Sequence, residues 1–277
     1  MHKRKLKLQI FIYAVAVLIC LFSLFPILWG LSTSFKPEFL MYSQPPKWIP
    51  EPITFKHYKT ILNDARMMRY FFNSFVTAAA STIIALIMGV LGAYGFSRYK
   101  FPGHKTLLIS ILLTRMLPRV SLIVPFFITL QKLKMYNTRA GLILVFLIIT
   151  MPISIWLLKA FFDGIPYEIE EAATIDGCSA LGILTRIVIP ISLPAIASVG
   201  MYIFITAWNE FLFVLVLTRG TELRTISVGL AFFIDEMGVH WGPLMAASIL
   251  MSIPAIIVFT MFQKSLIKGL SGGAIKG

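Results

Sequence analysis

The chain is predicted to be an all-α membrane protein with six transmembrane helices. Three observations predict this. Only 13% of its 277 residues are charged, against roughly a quarter in soluble domains. The mean hydropathy is +0.84. Long stretches carry no charge at all: 8–35, 70–97, 140–158, 187–209 and 239–263. Each is near or above the ~18–20 residues needed to cross ~30 Å of hydrocarbon as a helix.

The first span is placed at 9–31. An outer segment, 32–69, follows, with Pro45, Pro46, Trp48, Pro50 and Pro52. Such proline density makes its first half extended and irregular. Its second half, 54–69, has the character of a surface helix. Span two is 70–96. Span three, 106–130, carries Arg115 and Arg119 but has uncharged runs on both sides of them. Spans four, five and six are 139–161, 193–217 and 241–262. Outer loops are then 131–138 and 218–240, and inner segments are 97–105, 162–192 and 263–277. The whole of 1–277 reads as one membrane domain. Pro118, Pro125, Pro152, Pro194 and Pro254 fall within spans three to six. Proline frees a carbonyl and bends a helix. Bends around a cavity and ordinary packing bends both fit.

The net charge of +13 does not point to nucleic acid, because the basic residues sit in short loops beside apolar spans. There they set orientation and meet anionic lipid. Lys3, Arg4, Lys5 and Lys7 crowd the N-terminus, and Arg98, Lys100 and Lys105 fill the next inner loop. Total Lys and Arg are nearly balanced between the two sides, so these flanks decide the orientation, with both termini cytoplasmic. The first apolar run exceeds a signal-peptide core and lacks an A-x-A site, which makes it an uncleaved anchor. Cys20 and Cys178 form no disulfide framework. No catalytic residue and no metal site is expected. His2, His57, His104 and His240 make no H-E-x-x-H, and no G-x-S-x-G occurs.

The inner segment 163–192 holds the most informative stretch, EAATIDGCSALGILTRIVIP at 171–190. Pro166 suits the first helical position. Glu168, Glu170 and Glu171 lie in the first turns, where the helix dipole favours negative charge. Ala172 and Ala173 propagate the helix and present little bulk. Gly177 can end it in the left-handed conformation. Ser179 suits the N-cap of a second short helix reaching about Ile189. Pro190 and Pro194 mark the return to the membrane. Small side chains at 172–173 would let another protein surface approach closely.

The spacing, Glu171-Ala172-Ala173, three residues, Gly177, nine residues, Ile187-Val188-Ile189-Pro190, resembles the EAA loop of ATP-driven importer permeases, written EAA-x3-G-x9-I-x-L-P. Ile189 replaces the leucine. Trp208-Asn209-Glu210-Phe211 and the ending Gly273-Ala274-Ile275-Lys276-Gly277 look like the second permease subunit of carbohydrate importers of the maltose type. The resemblance covers essentially the whole chain. It implies a type I ABC importer permease fold in a bacterial or archaeal cytoplasmic membrane. It implies Glu171, Ala172, Ala173, Asp176, Gly177, Ile187 and Pro190 at the contact with the ATPase, and Gly273, Lys276 and Gly277 in a tail that reaches it. It also implies the partners: a homologous second permease subunit, two ATP-binding subunits and an extracytoplasmic solute-binding protein, docked on loop 218–240 with Asp235 and Glu236 offering charge. Membrane lipid surrounds the chain, and no nucleic acid is involved. ATP and Mg would belong to the partner ATPase, with no cofactor bound here. This agrees with the absence of a G-x4-G-K-[ST] loop: Gly177 and Gly182 have the glycine spacing, but Ile183 stands where lysine is needed.

Asn209, Glu210, Arg115 and Arg119 are candidates for the translocation path, because ionisable groups inside a span are costly and usually functional. Glu210 lies about 26 Å from the inner end of span five at 1.5 Å per residue, toward the outer face. A polar clamp between helices is the other reading. Arg115 and Arg119 are four apart and would share a helix face, meeting sugar hydroxyls, a phosphate, or Glu210. Sugars or oligosaccharides are the expected cargo, with glycerol phosphate esters or another small solute as the alternative. An ATP-independent carrier is a different mechanism for the same spans. The tail 263–277, with Gly269, Gly272, Gly273 and Gly277, is expected to be flexible, because it has little apolar surface to bury.

Overall fold

The computed structural model describes the backbone of residues 2–274 and the side chains of residues 9–263. Among the described residues, five helices are long and apolar enough to cross a membrane, and six if one sharply bent pair counts as a single span. The chain divides into two compact units: Met1–Met68 with Leu230–Ile253, and Arg69–Gly229 with Pro254–Gly277.

The first unit begins with helix α1 (His2–Ser34). None of its most apolar window is buried within the chain, as expected of a helix facing lipid. The outer segment then turns back on the end of α1. Trp48 packs edge-on against Phe25 and Trp29, with ring centroids 5.3 and 4.8 Å apart. Helix α2 (Lys56–Asn63) is tied to α1 by the Ser34–Tyr58 hydroxyl contact at 2.7 Å. The surface helix expected over 54–69 is interrupted at Asp64, whose backbone is extended. Its Oδ1 accepts from the Arg66 N–H at 2.8 Å, capping the next helix. The Arg66 guanidinium, first, and that backbone bond hold the Asp64 carboxyl below its usual range. Span two therefore starts earlier than predicted. A two-residue hairpin, β1 (Ile234–Asp235) and β2 (Gly238–Val239), pairs Ile234 with Val239.

The second unit is built on α3 (Ala65–Arg98), α6 (Arg139–Asp163) and α9 (Ile189–Trp208). Small residues let α3 approach α6: a Cβ on Gly89 would meet Leu158 at 3.5 Å, and one on Gly92 would meet Ile155 at 3.4 Å. Close backbone approach of this kind is what holds helices together where lipid is as apolar as the side chains. Buried hydroxyls on these helices bond back to the preceding turn, as Thr150 to the Phe146 carbonyl and Ser154 to the Thr150 carbonyl, at 2.7 and 2.8 Å. These two hydroxyls are thereby not left unpaired in hydrocarbon.

Two predicted spans are broken. Span three consists of α4 (His104–Leu113) and α5 (Ile123–Lys132) joined by two 3-10 turns, with a bend of 103°. Pro118 is the cause: it disfavours helical backbone at the preceding Leu117 and lacks an N–H, and Leu117 is extended with ψ 132°. Span five starts before 193 and ends before 217. A helical run from Ala180 to Trp208 passes through α8 (Ala180–Ile183) and a π-turn at Leu184–Val188. The chain then breaks at Asn209–Phe211 before α10 (Leu212–Leu217). The helix does not stop at Pro190, because the wide turn before it supplies the Ile189 N–H to Leu184 carbonyl bond and absorbs the register change that proline forces. Helix α11 (Ile226–Ala231) lies within the predicted outer loop 218–240.

Helix α12 (Trp241–Ala274) runs through Gly269, Gly272 and Gly273, where an irregular tail is expected. Extending an existing helix costs far less than nucleating one, and Lys264–Leu270 contains good helix formers. Ile275, Lys276 and Gly277 lie outside the described residues.

Candidate functional site

The inner segment forms two short helices at an angle set by one glycine. Helix α7 (Tyr167–Ile175) follows Pro166 and closes in a Schellman turn. The Cys178 N–H reaches the Ala173 carbonyl at 2.9 Å, and the Gly177 N–H reaches the Thr174 carbonyl at 3.0 Å. Gly177 has φ +81°, which a side chain bearing a Cβ resists. The Ser179 hydroxyl then caps α8, accepting from the Gly182 N–H at 3.2 Å.

The residues marked in the sequence separate into two faces. Glu171, Ala172, Asp176 and Gly177 are exposed. Ala173 is buried, in one cluster with Ile183, Val188 and Phe162, and Ile187 is half-buried against that cluster. Pro190 is exposed, in the first turn of α9. So only Ala172 of the alanine pair offers a surface for close approach; Ala173 anchors α7 to the bundle. The outward face adds large apolar groups that the spacing did not mark: Ile175 at 87% exposure and Leu181 at 64%.

What holds the loop is not legible in the motif spacing. Glu170 is buried and accepts from Arg98 Nε at 2.6 Å and from the Tyr94 hydroxyl at 2.9 Å. Both charged side chains are about nine-tenths or more buried, at 6% and 7% exposure. Arg98 also donates to the Ile165 carbonyl at 3.3 Å and to the Ser97 hydroxyl at 2.9 Å. Ser97 in turn donates to Asp163, which pairs with Lys159, both at 2.6 Å. A signal existed: Glu170 lies three residues before Ala173, on the same inward helix face. The three early glutamates look alike by composition, and only the packing distinguishes Glu170.

At the broken spans, Arg115 and Arg119 do not share a helix face, because the chain bends between them. Both nonetheless line one cleft of about 480 Å³ with Thr114, Phe126, Ile149, Tyr202 and Phe213 among its walls. Arg115 donates to the Ile149 carbonyl at 2.9 Å and to the Tyr202 hydroxyl at 3.0 Å. Arg119 forms an ion pair with Glu210. Glu210 is 4% exposed; it also accepts from the Phe213 N–H at 3.1 Å, and its carbonyl accepts from the Ser227 hydroxyl at 2.7 Å. It therefore acts as a clamp that satisfies the chain break after α9. Asn209 is exposed and bonds only locally, to the Ile205 carbonyl at 2.9 Å. Tyr202 is a cleft residue that the sequence reading did not mark.

In the hairpin, Met237 is 96% exposed. Asp235 accepts from His240 Nε2 and from the Met237 N–H, both at 2.9 Å. The His240 bond, first, and the Met237 bond hold its carboxyl below the usual range. Among the described residues, no three His, Cys, Asp or Glu side chains come together to hold a metal ion.

A family model described as binding-protein-dependent transport system inner membrane component matches residues 81–272. The diacetylchitobiose uptake system permease protein DasC of Streptomyces coelicolor is 32% identical, covering 99% of this chain and 100% of that protein. The trehalose/maltose transport system permease protein MalG of Thermococcus litoralis is 35% identical, covering 95% of each. Among solved structures, a chain of a bacterial ABC transporter involved in the import of the acidic polysaccharide alginate superposes with a TM-score of 0.80 at 27% identity. That match covers 92% of this chain and 96% of the other.

Proposed function

The chain belongs to the family of inner membrane components of binding-protein-dependent transport systems, and on that premise we propose that it is one of two permease subunits of an ATP-driven importer of a sugar or oligosaccharide. The observation that carries the mechanism is the inner loop. An outward face of Glu171, Ala172, Ile175 and Leu181 is exposed, while the Glu170–Arg98 pair fastens the same helix to the bundle. A rigidly held helix with a free apolar face suits the transmission of force from a separate ATPase. ATP and Mg are assigned to that partner, since this chain has no phosphate loop. The assembly we infer is this chain, a homologous permease, two ATP-binding subunits and a solute-binding protein. The inner loop and both termini are then cytoplasmic.

Carbohydrate cargo is supported by the names of the related permeases, which specify diacetylchitobiose and trehalose or maltose. The cleft is consistent with a neutral polyhydroxyl cargo. Arg119 is already neutralised by Glu210, and Arg115 keeps its charge while donating to a carbonyl and a tyrosine hydroxyl, so the cleft offers a phosphate ester one unpaired cation rather than two. The exposed tip of the β1–β2 hairpin is assigned to the solute-binding protein, with Met237 and Glu236 free and Asp235 engaged internally. The test is ATP hydrolysis by the reconstituted complex with its binding protein, across a panel of sugars and glycerol phosphate esters. Stimulation by one sugar class is expected. Stimulation by phosphate esters alone would overturn the cargo, and hydrolysis-independent uptake would overturn the mechanism.

A further inference from the structure

At the end of α1 there is a small cavity of about 190 Å³, lined by Trp29, Thr33, Lys36, Met41, Trp241 and Met245. All six belong to the first unit. Lys36 is 3% exposed, and its ammonium sits 3.9 Å from the Trp29 ring centroid. A buried ammonium is costly unless paired. Among the described residues, no carboxylate pairs with it. Glu38, two residues on, is turned instead toward Lys56 at 3.6 Å. Burial accordingly lowers the Lys36 pKa.

The Thr33 hydroxyl gives a second, independent observation. It is buried and has no hydrogen-bond partner. Other buried hydroxyls on the long helices bond back to the preceding turn, as Thr77 does to the Asn73 carbonyl and Ser81 to the Thr77 carbonyl. A buried polar group without a partner is rare in folded proteins. Here the cation and the residue that carries the unsatisfied hydroxyl line the same small space.

We propose that this cavity binds the phosphate group of a membrane phospholipid, with the Lys36 ammonium and the Thr33 hydroxyl donating to its oxygens. The position favours lipid over other anions. Lys36 lies two residues beyond the apolar run that ends at Ser34, at headgroup depth. Two tryptophans wall the cavity, as tryptophans do at membrane interfaces. Below it, Phe22, Phe25 and Leu28 of α1 are exposed, which provides an apolar track for acyl chains. A single phosphodiester head fits the volume.

The test uses the whole importer complex, with variants in this chain alone. Complexes are equilibrated in nanodiscs of phosphatidylglycerol and phosphatidylcholine, extracted in mild detergent, and analysed for retained phospholipid by native mass spectrometry. Wild type is expected to retain one phospholipid more than Lys36→Met, preferentially phosphatidylglycerol, and Lys36→Arg to keep it. Thr33→Val, which preserves shape, should weaken retention about tenfold, as expected for loss of a hydrogen bond to a charged group; it also serves if Lys36→Met fails to assemble. Equal retention by wild type and Thr33→Val overturns the proposal. Loss of the extra lipid on adding inorganic phosphate, with phosphate bound in its place in the spectrum, would make this a free-anion site and overturn the lipid assignment. Retention that instead follows a co-purifying protein would overturn it as well.

Discussion

Removing the charge on Glu170 should loosen the inner loop from the bundle without touching its outward face. In Glu170→Leu, Arg98 loses its only ion-pair partner among the described residues while its side chain stays about 94% buried (6% exposed). Breaking a buried pair by removing one partner costs about 3–5 kcal/mol. At 1.36 kcal/mol per factor of ten, this is a roughly 150- to 5,000-fold rise in the detached-to-docked ratio of α7. Tyr94 also loses its acceptor, adding to the effect. The double variant Arg98→Met/Glu170→Leu removes both charges, so it should cost less than the sum of the single changes by at least about 2 kcal/mol. The assay is hydrogen exchange of 167–176 in the assembled complex, with sugar-stimulated ATP hydrolysis alongside. Fast exchange and uncoupled hydrolysis are expected in the single variants, and partial recovery in the double. Strictly additive single and double effects would refute the claim that the two charges act as a pair.

Three further outcomes follow from the same geometry. Gly177→Val places a β-branched residue at φ +81°, a strain of about 1–3 kcal/mol, and should weaken assembly with the ATPase; co-purification at wild-type yield would count against it. Glu210→Gln removes the partner of Arg119 and weakens the acceptor for the Phe213 N–H, and should lower the melting temperature of the complex, whereas Asn209→Ala should leave it nearly unchanged. A cysteine introduced for Ala180, in a background without Cys20 and Cys178, should react with a membrane-impermeant reagent only from the cytoplasmic side, and labelling of intact cells would reverse the orientation.

Composition determined much of this protein by itself. The charge-free runs identified the apolar segments because the bilayer tolerates little else, and that constraint acts residue by residue. The Glu171-to-Pro190 spacing placed the inner loop, and Gly177 its turn, because a left-handed backbone is a local requirement with few solutions. The tertiary structure decided what local rules cannot. Glu168, Glu170 and Glu171 are equivalent to a helix dipole, yet only Glu170 faces Tyr94 and Arg98, and that pairing joins residues more than seventy positions apart. Arg115 and Arg119 looked like neighbours on a helix. Pro118 turns the chain between them, yet both line one cleft, Arg115 bonded to Tyr202 and Arg119 paired with Glu210. Helix α9 ends at Trp208, near the end of an uncharged run, because the freed backbone groups find partners in the Glu210 carboxylate at the break itself and in the Ser227 hydroxyl, which the chain brings back to it. Hydropathy measures the cost of exposing a group to lipid, whereas a buried charge or a broken helix depends on which partner the fold brings to it.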